Sequence, residues 1–262
     1  MKVRFLILVL FIGSQMFGQL ADDGDFPEKY RSVFVGFGPR TLNTTPGTIK
    51  TVYTDESPSM DHLETQIEIL DKYKKWGFQA GYKWGRYKGL SHSILFDISM
   101  GKNRGGVFTY SLGYNYPVKI NTKALIIRAA LFGGFGNFGF DIGQLENNAG
   151  YIEINGNKYY DKQLDVSLSS QVFLYGPELD LMFELSDHFE VFASFIYDIA
   201  SKNSRPKINF VTTEKEDQDT ASIDLGGDNP KVTYNGKELT SLPYEISGLR
   251  LTFGVSYVWN YY

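Results

Sequence analysis

The chain closes with SGLRLTFGVSYVWNYY (residues 247–262), and the reading of this stretch decides which solvents the fold must face. Leu249, Leu251, Phe253, Val255, Tyr257, Trp259 and Tyr261 fall on one side of a two-residue period. Arg250, Thr252, Gly254, Ser256 and Asn260 fall on the other. A period of two predicts a strand. Its large, increasingly aromatic face would suit a soluble core if the opposite face suited water, yet that face carries small residues able to crowd together around one arginine.

The same alternation recurs seven times upstream. Val33, Val35 and Phe37 oppose Phe34, Gly36 and Gly38, and Phe78, Ala80, Tyr82 and Trp84 oppose Gln79, Gly81, Lys83 and Gly85. Ile94, Phe96, Ile98 and Met100 oppose Ser93, Leu95, Asp97 and Ser99, and Phe108 to Tyr116 alternate with Thr109, Ser111, Gly113 and Asn115. In KALIIRAALFGGFG (123–136) both faces are apolar, and Arg128 assigns Ile126, Ala130 and Phe132 to its own side. YGPELDLMFELSDHFEVFASFIYDI (175–199) reads as a tight hairpin, with Leu179, Leu181, Phe183 and Leu185 opposite Glu178, Asp180, Met182 and Glu184. Its second arm sets Val191, Ala193, Phe195 and Tyr197 opposite Phe192, Ser194, Ile196 and Asp198. Counting the terminal strand, eight are predicted. Three long connections, at 41–75, 137–169 and 201–246, each join an odd strand to the next even one, and the other connections are a few residues long.

A soluble eight-stranded sandwich or barrel would point the bulky faces inward. An eight-stranded barrel has an interior just wide enough for side chains, and four of these strands would each bring four or more large residues into it. Turning the strands around sends the bulky face into lipid and the Gly, Ser, Thr and charged face into the lumen. Backbone groups in hydrocarbon must all be paired, so the sheet must close and the last strand must meet the first.

The beginning of the chain fits an exported protein. Lys2 and Arg4 precede an apolar run from Phe5 to Gly13, and Gly18 precedes Gln19, which reads as a signal peptide over residues 1–18. The run is too short for a spanning helix. Removing it shifts the formal charge from −4 to −6, since it carries two bases and no acid. An acidic chain makes nucleic acid an unexpected partner, and with no cysteine the fold is held without disulfides. Residues 19–30 are expected to be a periplasmic leader and 31–262 the membrane domain.

In these features the chain resembles the small eight-stranded outer-membrane β-barrel proteins of Gram-negative bacteria, of the OmpX and OmpA transmembrane-domain type. The resemblance rests on architecture: a signal peptide, eight amphipathic strands, and short periplasmic turns alternating with long extracellular loops. It implies an all-β, transmembrane, antiparallel up-and-down β-barrel in the outer membrane, with lipid and lipopolysaccharide around it. It also implies that the barrel-assembly machinery reads the last strand through Phe253, Tyr257, Trp259, Tyr261 and Tyr262. The terminal Tyr262 departs from that pattern, being one residue out of step with the lipid face.

Several groups of residues are candidates for chemistry. Lys83, Asp97, Arg128, Glu178, Asp180, Glu184, Asp198 and Arg250 all fall on the lumen face and read as a charge network. Charges in a narrow lumen need partners, which favours a structural plug over a solute or proton path. Trp76, Trp84, Tyr87, Tyr114, Tyr116, Tyr257, Trp259 and Tyr261 lie near strand ends and read as aromatic girdles at the headgroup zone. His62 sits beside Asp61 and Glu64 in a loop, while His92 and His188 fall towards the periplasmic side. This is weak support for a hydrolase.

The acidic run from Glu214 to Asp228 lacks calcium-loop spacing, and no metal or cofactor is expected. Asn155 and Gly156 predict a projecting β-ribbon with Tyr159 and Tyr160 exposed. The expected function is therefore non-enzymatic: partner binding, adhesion, or service as an accessory subunit to another outer-membrane or surface protein. A small-solute channel of porin type is the alternative, and a lipid-modifying or proteolytic barrel is third.

Overall fold

The computed structural model describes residues 26–44, 47–53, 63–69, 72–99, 105–146, 150–154, 157–201, 206–212, 220–225, 231–240, 244–245 and 247–261. The expected signal peptide, most of the expected leader, His62, Met100 and Tyr262 lie outside them. Eight antiparallel strands form a ring: β1 (Lys29–Thr44), β2 (Lys72–Arg86), β3 (Gly89–Ser99), β4 (Gly105–Ile120), β5 (Lys123–Glu146), β6 (Gln163–Ser186), β7 (Phe189–Ala200) and β8 (Gly248–Tyr261). Each pairs with its neighbours in chain order, and β8 returns to β1 in a register that sets Val33 opposite Tyr257 and Phe37 opposite Phe253. The chain has no helix among the described residues.

Three two-residue connections, Tyr87–Lys88, Asn121–Thr122 and Asp187–His188, lie at one end of the ring. The paired ends of β1 and β8, Lys29 opposite Tyr261, lie there too. Asn121 takes a left-handed φ of 57°, which asparagine tolerates at a tight hairpin. This is the turn end, and the long connections leave from the opposite, loop end.

Alternation along each strand sorts the side chains onto an inner and an outer face. The inner face holds Tyr30, Phe34, Leu95, Ile126, Phe132, Met182, Phe192 and Ile196, all buried, together with the charged residues. Every strand carries an apolar stretch on its outer face, with Phe37 at 60%, Phe96 at 52%, Leu131 at 60%, Phe135 at 69% and Leu249 at 55% exposed. Glycines make room inside: a Cβ on Gly81 would sit 2.4 Å from the Phe34 ring and 2.3 Å from the Ile94 carbonyl oxygen.

On β5 and β6 the pattern inverts partway along. Outward positions of β6 read Phe183, Leu181, Leu179, Pro177, Tyr175 and Phe173, then become Gln171, Ser169, Ser167 and Asp165. The inward positions change in the opposite sense, from Asp180 and Glu178 to Leu168, Val166 and Leu164, the last three buried. β5 switches at the same level, because Phe135 is opposite Phe173 and Asn137 is opposite Gln171.

Beyond that level the sheet continues as a wing. Lys207–Thr212 pairs with β6, and Thr220–Asp224 pairs with Lys207–Thr212. Ile208, Phe210, Ala221 and Ile223 are buried on its inner side. Its outer side is polar, with Asn209 Nδ2 donating to Ser169 Oγ at 2.9 Å and Ser222 Oγ donating to Asn209 Oδ1 at 2.8 Å. A separate sheet of Gly47–Tyr53, Leu63–Ile69, Lys231–Tyr234 and Lys237–Glu238 stands at the same end, and its strand Leu63–Ile69 runs against β5.

The long connections expected at 41–75, 137–169 and 201–246 are accordingly shorter and more ordered. β1 runs on to Thr44, β2 starts at Lys72, β5 reaches Glu146 and β6 starts at Gln163. The leader expected at 19–30 also gives up Lys29 and Tyr30 to β1. Ile152–Ile154 and Asn157–Tyr159 pair as a ribbon, with the intervening Asn155 and Gly156 outside the described residues. Of its two tyrosines, Tyr160 is exposed at 69% but Tyr159 is buried, contrary to expectation.

Candidate functional site

Inside the ring the lumen-facing charges gather into two clusters. In the first, Arg128 is fully buried and every guanidinium nitrogen has a partner. Nε donates to Ser91 Oγ at 3.0 Å, Nη1 to Glu178 at 2.8 Å and Asp180 at 3.2 Å, and Nη2 to Ser111 Oγ at 2.8 Å. Lys83 Nζ donates to the same Asp180 oxygen at 2.7 Å, and Ser194 Oγ donates to the other at 2.6 Å. The ammonium also lies 4.9 Å from the Phe34 ring centroid and 5.3 Å from that of Phe192. β2, β5, β6 and β7 are thus tied together across the interior.

The second cluster centres on Arg250. Its Nη1 donates to Asp97 at 2.9 Å and Nη2 to Asp198 at 2.8 Å, with Nε 2.5 Å from the second Asp198 oxygen. Gln79 Nε2 donates to Asp97 at 3.1 Å. The guanidinium faces the Phe132 ring at 5.8 Å.

Glu184 belongs to neither cluster. Although it continues the Glu178 row, it sits half-buried at the turn end, where it accepts from Tyr87 Oη and from the Ala124 backbone N–H. This corrects the reading of Tyr87 as a girdle residue. The turn after β2 breaks the alternation, Tyr87 folds over the mouth of the ring and is buried, and its ring stacks on Phe26 at 5.4 Å. The other girdle residues stay outside: Trp76 and Tyr114 are exposed, Trp259 is 37% exposed, and Trp84, Tyr116 and Tyr257 are half-buried. Tyr261 pairs with Lys29 in the backbone register, and its side chain is outside the described set.

A polar group missed in the sequence completes the interior. Tyr30 Oη donates to Glu190 at 2.8 Å and accepts from Ser32 Oγ at 3.1 Å, with all three residues buried. Both ends were legible in principle. Glu190 continues the inward series Phe192, Ser194, Ile196 and Asp198 towards the turn end, and Tyr30 continues Phe34 and Ser32 in the same way.

Of the histidines, His92 and His188 are among the described residues. His92 lies on the outer face, stacked on Trp84 at 5.3 Å, with Nδ1 2.7 Å from Tyr110 Oη. His188 is in a turn, stacked on Tyr257 at 5.7 Å. His92 is on β3 and His188 is in the turn between β6 and β7, so the two do not share a site. Asp224 of the acidic run forms an exposed 3.5 Å pair with Lys207. No group of three or more metal-ligating side chains occurs among the described residues.

The chemistry this interior offers is mutual neutralisation. Arg250 spans carboxylates on β3 and β7, while Arg128 and Lys83 share Asp180 on β6. No family model matches this chain, and no curated protein sequence matches it.

Proposed function

We propose that this chain is a non-enzymatic integral outer-membrane β-barrel, exported by its signal peptide, whose lumen is a side-chain plug. Its work is done at the loop end, by binding a partner surface, either as an adhesin or as an accessory subunit of an outer-membrane complex. The observation that supports the membrane reading best is the polarity inversion on β5 and β6. From Phe183 to Phe173 the apolar outward stretch is eleven residues long, and a tilted membrane-crossing strand needs about 9–11. The outward apolar run on β8 from Leu249 to Trp259 has the same length.

A soluble monomer seldom exposes an apolar patch beyond a few hundred Å², and a belt of exposed Phe, Leu, Ile and Val around every strand has no such explanation. Above the inversion the same sheet has a buried apolar side and a polar side, as a water-facing sheet does. Ordered strands at the loop end supply a fixed surface for recognition. Two ion-pair clusters tying opposite walls together favour a plug over a pore.

Two measurements test this. Purified protein in detergent should give a β-type circular dichroism spectrum and a heat-dependent shift on a denaturing gel; neither appearing would sink the membrane reading. Crosslinking in native outer membranes should then capture one recurring companion, and deletion of 207–224 should abolish the capture without abolishing the gel shift.

A further inference from the structure

The outer surface at the turn end carries a row in which aromatic and cationic side chains alternate. Across β8, β1 and β2 the register sets Trp259 opposite Arg31 and Arg31 opposite Trp84. Directly opposed residues in a sheet have Cβ atoms about 4.5–5.5 Å apart, so the Arg31 side chain leaves the wall flanked by two indoles. One step closer to the end, Lys29 is opposite Arg86, and Lys88 follows in the adjoining turn. All four cations are exposed. The exposed acids at this end, among the described residues, are Glu28 and Asp187. The patch is therefore locally positive on a chain whose formal charge is −4.

We propose that Lys29, Arg31, Arg86 and Lys88, between Trp84 and Trp259, form a binding site for the phosphate headgroup of an anionic glycerophospholipid in the periplasmic leaflet. The proposal rests on the membrane reading above. Three features specify the ligand. An Arg fork matches phosphate oxygens in two-point fashion, and lysines add point charge. Indole rings at this level fit the boundary between acyl chain and headgroup. The excess of positive charge is only partly matched by a zwitterionic headgroup, which brings its own cation, and is better matched by a headgroup with net negative charge.

The chain's three tryptophans supply a direct reporter. In Trp76→Phe protein, the remaining indoles are the two that flank Arg31. Refolded into phosphatidylcholine vesicles containing a small equal fraction of either brominated phosphatidylglycerol or brominated phosphatidylcholine, this protein should be quenched about fivefold more effectively by the phosphatidylglycerol. Adding Arg31→Glu and Arg86→Glu should remove that preference, and Arg31→Lys with Arg86→Lys should keep most of it. If the charge-reversed protein does not assemble, about 0.5 M salt should weaken the preference in the parent instead. Equal quenching by the two lipids would overturn the site while leaving membrane insertion intact. Quenching by neither would overturn the membrane reading itself.

Discussion

At the scale of single residues, Arg128 holds the interior together more than any other side chain. It neutralises Glu178 and shares Asp180 with Lys83 while sitting fully buried. Removing one partner of a buried pair is costly because the remaining charge stays behind, about 3–5 kcal/mol. Arg128→Ala should lower the urea midpoint of the folded protein in detergent by an amount of that order. Arg128→Met combined with Glu178→Gln should recover much of the loss, because replacing a pair differs from breaking one. Gly81 is a second point of control, since Phe34 occupies the space a Cβ would need. Gly81→Val should cost about 1–3 kcal/mol by overpacking, read from the same unfolding curve, and Phe34→Leu in the same chain should restore part of it. The inward charges were legible from alternation alone, but their partition into two clusters was not. That partition depends on the stagger of neighbouring strands, which no single-strand pattern contains.

At the scale of elements, β6 is informative because its outward face changes from apolar to polar along its length. Leu179 lies on its apolar outward stretch, and Ser167 lies on the same face above the inversion. A basic residue near the middle of a lipid face costs about 2–4 kcal/mol, falling to near zero in the interfacial region. Leu179→Arg should therefore impair folding into lipid vesicles by that amount, and Ser167→Arg should leave it unchanged. Equal effects at both positions would mean that the two stretches face the same solvent. The terminal strand makes a separate prediction. Tyr257 and Trp259 pack edge to face at 4.8 Å on the outer surface, so the aromatic end of β8 is already complete before Tyr262. Deleting Tyr262 should leave assembly in cells undiminished, as measured by the yield of heat-shifted protein.

The strand cores of the ring were legible in the sequence because each obeys one rule over at least five residues. The extensions of β5 and β6 were not, because that rule of apolar outside and polar inside reverses at Gln171 and Asn137, so the pattern looked like the end of a strand. The small hairpin at Lys231–Tyr234 and Lys237–Glu238 has its own local signal in the Asn-Gly pair between its strands. Asn235 and Gly236 take φ of 50° and 76°, the two-residue turn an Asn-Gly pair favours.

At the scale of the whole molecule, the number of strands and the contents of the lumen decide whether the ring can conduct. Eight strands enclose a space about as wide as the side chains that fill it. Here that space holds Arg128, Lys83, Phe34, Phe132, Phe192 and Met182, all buried. Tyr87 and Phe26 stack across the mouth at the turn end. A solute crossing the ring would have to part Lys83 from Asp180 and Arg250 from both Asp97 and Asp198, each contact at 2.9 Å or less. Removing one partner from such a pair costs several kcal/mol, so the open state should be too rare to carry a steady current. Planar bilayers containing the wild-type protein should show no stable conductance level. The Lys83→Ala, Arg128→Ala, Asp180→Ala variant, which removes charge from both sides of one cluster, should show brief openings where it still gives the heat-dependent gel shift. A steady wild-type conductance that disappears on changing Arg128 or Glu178 would mean that the same network lines a path, and the plug would have to be redrawn as a selectivity element.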